Sequence, residues 1–391
     1  MAIRGLASVP TAGITSNASI QPNIRDKYTS TASGYVPALT GIRALAASLV
    51  LGFHFYTEHI VPVGINSLLP FFTRGYLGVD FFFLLSGFII THVYLTPLAC
   101  PNRITVQIFL WHRIIRLYPV HLTVLAGLVA IVSLAGAAGI ALNDPQHWQW
   151  KDLFWHLTLL HSWGATEGLA WNDPSWSISA EWFAYLLFPL LAPMMIRVHG
   201  RVTALLIAVA ALATTAALFA IADWAVLTSG RGAPAMMRVF GEFLCGAALC
   251  RAVALGGVSS RSSGDILGAG AFIAFLLGAS AGLADFALIA FLALTVFGAS
   301  TSAAYLARIL GSRPLVWLGE VSYSIYMVHF PVLIVIRRLW ERLGFAEWGV
   351  AGKTFAFLIT LALVIGLASM LFYLVERPAR KRLRNQMGVM R

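Results

Sequence analysis

Apolar residues run in long blocks, not in the short alternations of a soluble domain. Ten blocks are long enough, or nearly so, to cross a bilayer as helices, at about 38–57, 75–95, 117–140, 176–196, 202–222, 235–254, 265–283, 285–300, 314–336 and 352–375. Only Leu283, Ala284 and Asp285 separate the seventh block from the eighth. The pattern predicts an all-α integral membrane bundle of about ten transmembrane helices, and an even number puts both termini on one side. Residues 1–36 are polar and rich in Ser, Thr, Ala and Gly, which predicts a disordered cytoplasmic tail. They contain no apolar core of signal-peptide length. Residues 37–382 are the membrane domain, and 383–391 a basic cytoplasmic tail.

Composition agrees. The 391 residues are 59% hydrophobic and 11% charged, with a mean hydropathy of +0.80, where a soluble domain carries roughly 25% charged residues. The net charge of +11 does not mark a nucleic-acid binder, because Lys and Arg follow membrane topology. With a cytoplasmic N-terminus, inner segments hold 18 of the 27 Lys and Arg residues and outer segments 8, with Arg43 inside the first span. The positive-inside rule therefore favours cytoplasmic termini. The outer cluster around Arg337 is the exception, and could face a polar cavity. Cys100, Cys245 and Cys250 are an odd number at no metal-ligand spacing, so neither a disulfide framework nor a metal is expected. Buried thiols fit Cys245 and Cys250. There is no Gly-rich phosphate loop, HExxH or GxSxG.

Ionisable residues inside the blocks are the functional candidates, because they are costly in lipid. Arg43 and His54 lie eleven residues apart in the first block, on one helix face and roughly 16 Å apart along the axis. Asp80 sits one turn into the second block; an antiparallel second span brings it level with His54, where a carboxylate could fix the imidazole tautomer. The alternative for Asp80 is a cap or a helix–helix hydrogen bond. The Ser86-Gly87 pair suits close helix approach. Arg113 and Arg116 share a face where the chain re-enters the membrane, as paired forks for phosphate or as interfacial anchors. In the fourth block, Ser175 or Ser177 is expected to cap the helix after Pro174, and Glu181 should face a partner, Arg43 or more plausibly His329. Glu242 reads as a structural buried acid. Tyr323, Tyr326 and His329 step by three along the ninth block, either as polyol ligands or as interhelical hydrogen bonds. The loop at about 141–175 is rich in Trp and His around Asp173, which suits an interfacial anchor belt or an aromatic platform for a sugar.

Taken in order, these residues resemble the acyltransferase-3 family over about 36–382. The resemblance rests on Arg43 with His54; Gly78-Val79-Asp80-Phe81-Phe82 with Ser86-Gly87-Phe88; and Arg113, Arg116, Leu117 and Pro119. It continues through Trp176, Ser177, Ser179 and Glu181, then Ser322, Tyr323, Tyr326 and His329, and ends at Glu376-Arg377-Pro378. His112 stands where the family often has a further Arg, which bears on the number of phosphate contacts. The resemblance implies a ten-span bacterial inner-membrane enzyme that moves an acyl group, usually acetyl, from cytoplasmic acyl-CoA to a hydroxyl of a glycan or exopolysaccharide. Some relatives act on macrolide sugars or other small molecules. A stand-alone form is expected, since no hydrolase-like domain follows the last block. On this reading Arg43, Arg113, Arg116 and Ser86 serve acetyl-CoA, and His54 is the general base oriented by Asp80, or forms an acyl-imidazole. Trp176, Ser177, Glu181, Tyr323, Tyr326 and His329 serve the acceptor, and Glu376 ties the last helix to nearby arginines. The expected partners are acyl-CoA, a glycan and the bilayer, with no nucleic acid; a homo-oligomer is compatible with this reading. A transporter using His54, Asp80 and Glu181 as a proton relay is the alternative from another class, although the paired interrupted helices such a protein should carry are not evident.

Overall fold

A computed structural model describes residues 36–60, 70–99, 104–142, 144–256 and 261–386. The N-terminal stretch 1–35, Cys100 and the last five residues, on which parts of the expected tails fall, lie outside them. Among the described residues the secondary structure is helical throughout, without a strand. Ten long helices follow one another: α1 Pro37–Thr57, α2 Gly78–Ala99, α3 Val106–Ala137, α4 Trp176–Ile196, α5 Arg201–Ile221, α6 Gly232–Ala254, α7 Arg261–Ser280, α8 Asp285–Thr301, α9 Arg313–Arg342 and α10 Val350–Leu371. Nine spans among the described residues are long and apolar enough to cross a membrane, and α8, at 17 residues, is a shorter apolar helix. The chain is thus a multi-pass helical membrane protein. The weak seventh–eighth boundary is a real turn: Arg74 and Tyr76, just ahead of α2, both bond Asp285 at the start of α8, at 3.0 and 2.8 Å.

Lipid is as apolar as Leu, so burial of apolar surface does not hold such helices together; close backbone approach and polar contacts do. Helices α2 and α6 cross where glycines face each other's backbone. A Cβ on Gly87 would lie 1.9 Å from the Phe243 carbonyl oxygen, and one on Gly246 2.0 Å from that of Leu84. At the end of α4, Arg251 donates to the carbonyls of Val198 and Ile196 at 2.8 and 3.0 Å, closing the helix end that its own ladder leaves open.

Proline makes a second kind of joint. Pro331 inside α9 has no N–H for the Met327 carbonyl one turn back. Asn172 from the loop before α4 donates Nδ2 to that oxygen at 3.1 Å. The last span ends in a π-helical turn, Phe372–Glu376, before the basic helix Arg377–Gln386. The wider turn re-aims Glu376, which is 1% exposed, into the bundle.

Candidate active site

A cavity of about 130 Å³ lies among α1, α2, α3, α4 and α9, lined by Arg43, Ser86, Arg113, Arg116, Ser177, Glu181, Tyr185, Tyr323 and Tyr326 over an apolar wall of Val79, Phe82, Phe83, Ile89 and Ile90. Three guanidiniums face one carboxylate. The spacing of three between Arg113 and Arg116 does bring both into one space, and Arg43 joins them from α1.

Each cation is held differently. Arg116 pairs with the buried Glu376 and lies over the Tyr323 ring, 5.0 Å from its centroid. Glu376 also accepts from Ser324 at 2.8 Å and faces Arg380 at 3.4 Å. The last helix end is thus tied to arginines, as its Glu-Arg-Pro sequence suggested. Arg113 donates to the Tyr94 hydroxyl at 2.9 Å, and Tyr94 meets His112 Nδ1 at 3.0 Å. The Arg113 Nε is buried without a hydrogen-bond partner. Arg43 forms no hydrogen bond or close ion pair with any described residue; its neighbours at longer range are Arg116, Glu376, Arg380 and Glu181.

The structure corrects several expectations. Glu181 does not meet His329: Tyr185, one turn on, donates to it at 2.5 Å, and Tyr185 reaches Ser86 at 3.2 Å. Neither serine caps α4. Ser177 donates to the Tyr326 hydroxyl at 2.8 Å, which donates to the Pro174 carbonyl at 2.9 Å, and Ser175 turns to His161. Ser177, Glu181, Tyr323 and Tyr326 share one cavity with the arginines, so these candidates do not form a separate acceptor site. Trp176 stands outside it, its ring 5.2 Å from the Arg238 guanidinium carbon.

The largest correction concerns Asp80. It does not orient His54. Its two oxygens accept from Arg238 Nε and Nη2 at 2.7 and 2.6 Å, in a pair 0% and 2% exposed. Arg238 also donates to the Val226 carbonyl and to Ser229, at 2.8 and 3.3 Å. It lies near the start of its apolar block, yet a buried carboxylate needs a fully desolvated cation, and α6 rather than α1 supplies it. Glu242, four residues on, is buried beside this pair.

His54 is half-buried between Phe53 and Phe330, with its ring centroid 4.8 Å from that of His329. It is not among the residues lining the cavity, which ends at Ser177 and Tyr326. The Tyr326 ring lies between, 5.7 Å from His329. His329 Nδ1 is 2.6 Å from the Tyr326 carbonyl, and a carbonyl only accepts. That contact puts the proton on Nδ1 and leaves Nε2 bare; Nε2 is buried and has no hydrogen-bond partner. The imidazole facing His54 therefore carries a free lone pair.

Part of the Trp and His loop is internal, with His156, His161 and Trp171 buried and Trp150 exposed. Trp171 is fully buried and donates to the Gln149 carbonyl at 3.1 Å. His147 reaches Asp173 at 3.5 Å. His156 and His161 stack at 3.9 Å, and Ser175 lies 3.1 Å from His161 and 3.5 Å from His156. Burial, with neighbouring His121, pushes His161 down to about 3, and burial with His161 and His121 likewise pushes His156 well below the usual imidazole value.

Sequence reasoning missed Arg238, Tyr94 and Tyr185. The spacing of four in Glu181–Tyr185 and in Arg238–Glu242 was the available signal.

The fold is thus a polytopic bundle with a membrane-embedded cationic cavity and a bare imidazole beyond it. The chain belongs to the acyltransferase-3 family, whose model, described as an acyltransferase domain, matches residues 36–374. It is 29% identical over 372 residues to the acyltransferase MdmB of Streptomyces mycarofaciens, covering 89% of this chain and 92% of the relative. It is 24% identical to the peptidoglycan O-acetyltransferase OatA of Listeria monocytogenes, covering 89% of this chain and 56% of the relative. It is 24% identical to the putative peptidoglycan O-acetyltransferase YrhL of Bacillus subtilis, covering 88% and 55%. The chain thus spans nearly all of the first relative and just over half of the other two. No solved structure matches it. It is a membrane O-acyltransferase.

Proposed function

We propose that the enzyme moves an acetyl group from cytoplasmic acyl-CoA to a hydroxyl of a glycan or exopolysaccharide at the far face of a bacterial inner membrane. The cavity carries this reading: three guanidiniums against one carboxylate, inside a bilayer, suit a polyanionic donor. Arg43 is the cation with no bonded partner among the described residues, so it is the first to meet a CoA phosphate. Arg116, fixed by Glu376, and Arg113, fixed by Tyr94, supply further donors, and Ser86 lies beside them. The roughly 16 Å rise from Arg43 to His54 is a distance that an extended pantetheine arm bridges. The thioester passes Ser177 and Tyr326 to reach the imidazoles.

There an imidazole nitrogen of His54 takes the proton of the acceptor hydroxyl while its oxygen attacks the thioester carbonyl. Collapse of the tetrahedral intermediate breaks the carbon–sulfur bond, and the imidazolium returns the proton to the departing thiolate. His54 is the assigned base, with His329 replacing Asp80 as its neighbour.

The test uses purified protein, acetyl-CoA and an oligosaccharide acceptor. His54→Ala should slow acetyl transfer by about 10²–10⁴-fold, the usual worth of a general base. Arg43→Ala should raise KM for acetyl-CoA about ten- to a hundredfold, the loss of one charge-assisted hydrogen bond. Normal turnover by well-folded His54→Ala protein would remove the central assignment; an unchanged KM in Arg43→Ala would remove the phosphate role.

A further inference from the structure

Away from this cavity, α3, α9 and α10 enclose an apolar groove of about 470 Å³ that opens sideways toward lipid. Its walls include Leu128, Val335, Leu367 and Met370, and Gly127 lines it from α3. A Cβ at Gly127 would meet nothing within 4 Å, so a side chain there would have open space to enter. Along α9 the lining runs from Val328 to Ile336, about 12 Å, and along α10 from Leu363 to Val375, about 18 Å. One leaflet's hydrocarbon is about 15 Å deep.

Charge marks one end. Arg338 and Arg342 repeat the register of the groove-lining Pro331 and Val335 one heptad further along α9, so they continue the same face. Arg337 points the other way and is held by Glu58 and Glu341, at 2.8 and 3.3 Å. Arg342 is exposed and pairs with no carboxylate among the described residues; Arg338 has only the Ala141 carbonyl at 3.4 Å.

We propose that this groove is a binding site for an anionic phospholipid, one acyl chain lying along Gly127 and the phosphate at Arg338 and Arg342. Geometry argues against the head group being the acylated acceptor. Arg338 stands nine residues beyond His329, about 13 Å along the helix, so the head lies well away from the imidazoles. The lipid is a bound component of the bundle, and the inference stands apart from the donor and acceptor assignments above.

The test reconstitutes the full chain into bilayers of equimolar phosphatidylglycerol and phosphatidylcholine, re-extracts it in mild detergent, and counts retained lipid by native mass spectrometry. Wild-type protein should keep one phosphatidylglycerol in clear excess over phosphatidylcholine. The double variant Arg338→Gln/Arg342→Gln should lower that affinity about thirtyfold, the worth of two juxtamembrane cations. Gly127→Leu should lower retention while leaving thermal stability in detergent unchanged, since its side chain enters the groove. Should Gly127→Leu fail to accumulate, the arginine double variant still carries the test. Retention of the two lipids in their bulk ratio, or undiminished retention by the arginine double variant, would overturn the proposal. Displacement of phosphatidylglycerol by equimolar polyprenyl phosphate would also overturn it and make a lipid carrier the occupant.

Discussion

Removing Arg238 should unseat the centre of the bundle without touching the chemistry. Arg238→Leu deletes two carboxylate bonds of 2.7 and 2.6 Å, the bonds to Val226 and Ser229, and the guanidinium over Trp176. Asp80 would be left fully buried with Glu242 beside it and no cation for either. Breaking one side of a buried pair costs about 3–5 kcal/mol, or two to four decades in the folded-to-unfolded ratio. Asp80→Asn, which strands the guanidinium instead, should cost a similar amount. Asp80→Leu/Arg238→Leu removes both charges and should recover most of the loss, since a buried pair often does no better than apolar residues of like volume. The assay is unfolding in micelles of rising SDS fraction, followed by tryptophan fluorescence, with acetyl transfer measured per folded molecule. The single variants should lose stability while the surviving folded protein keeps kcat within a few-fold. An Asp80→Asn protein as stable as wild type yet a hundredfold slower would refute this reasoning and return Asp80 to the service of His54.

Three further outcomes follow from the same contacts. Glu376→Gln releases Arg116 from its ion pair, so KM for acetyl-CoA should rise several-fold with kcat little changed, read from initial rates over a donor series. Gly246→Leu must push α2 and α6 apart, because even its Cβ falls 2.0 Å from the Leu84 carbonyl oxygen; a loss at or above the about 1–3 kcal/mol of ordinary overpacking should appear in the same SDS titration. The buried histidines of the 141–175 loop predict an acid limb. With His161 held near 3 and His156 depressed in the same direction, the unfolded chain takes up protons below the ordinary value near 6.5 while the fold does not. Stability should therefore be flat above that pH and fall by about 1.4 kcal/mol per unit and per histidine below it, until the folded value is reached. His161→Gln should flatten that slope in a pH series of melting temperatures; an unchanged slope would discount the cluster.

The helices and the cationic cavity were legible because each depends on local spacing. Apolar runs of about 20 residues set the spans, and the interval between Arg113 and Arg116 put two forks on one face. Even the weak division between α7 and α8 was visible at Asp285. Partner choice was not legible, because packing decides it between residues far apart in the chain. Asp80 and Arg238 are separated by 158 positions, and Arg238 sits close to the start of its block, where an arginine reads as an interfacial anchor. Antiparallel pairing of α1 and α2 made His54 and Asp80 level, but level is not adjacent: α9 presents His329 to His54, and α6 presents Arg238 to Asp80. Glu376 was placed near arginines by its neighbours in sequence, whereas the π-helical turn that aims it at Arg116 leaves no mark in the apolar pattern.

Helix α9 joins the two halves of the site. Tyr323 and Tyr326 close the cavity, and His329, one turn on, faces His54. Pro331 breaks the hydrogen-bond ladder just there, so the Met327 carbonyl between Tyr326 and His329 depends on Asn172. Asn172 is 1% exposed and belongs to the loop that packs the stacked histidines against Ser175. Withdrawing it would orphan a buried carbonyl at a cost of about 1–3 kcal/mol, enough to couple the order of the loop to the stretch of α9 that separates cavity from imidazole. The Pro174 carbonyl, two residues further on, accepts from Tyr326 itself. The loop therefore holds both the backbone and the hydroxyl of this partition and fixes the position of Tyr326. The segment before α4 thus fixes the stretch of α9 that lies between the arginine-lined cavity and the paired imidazoles.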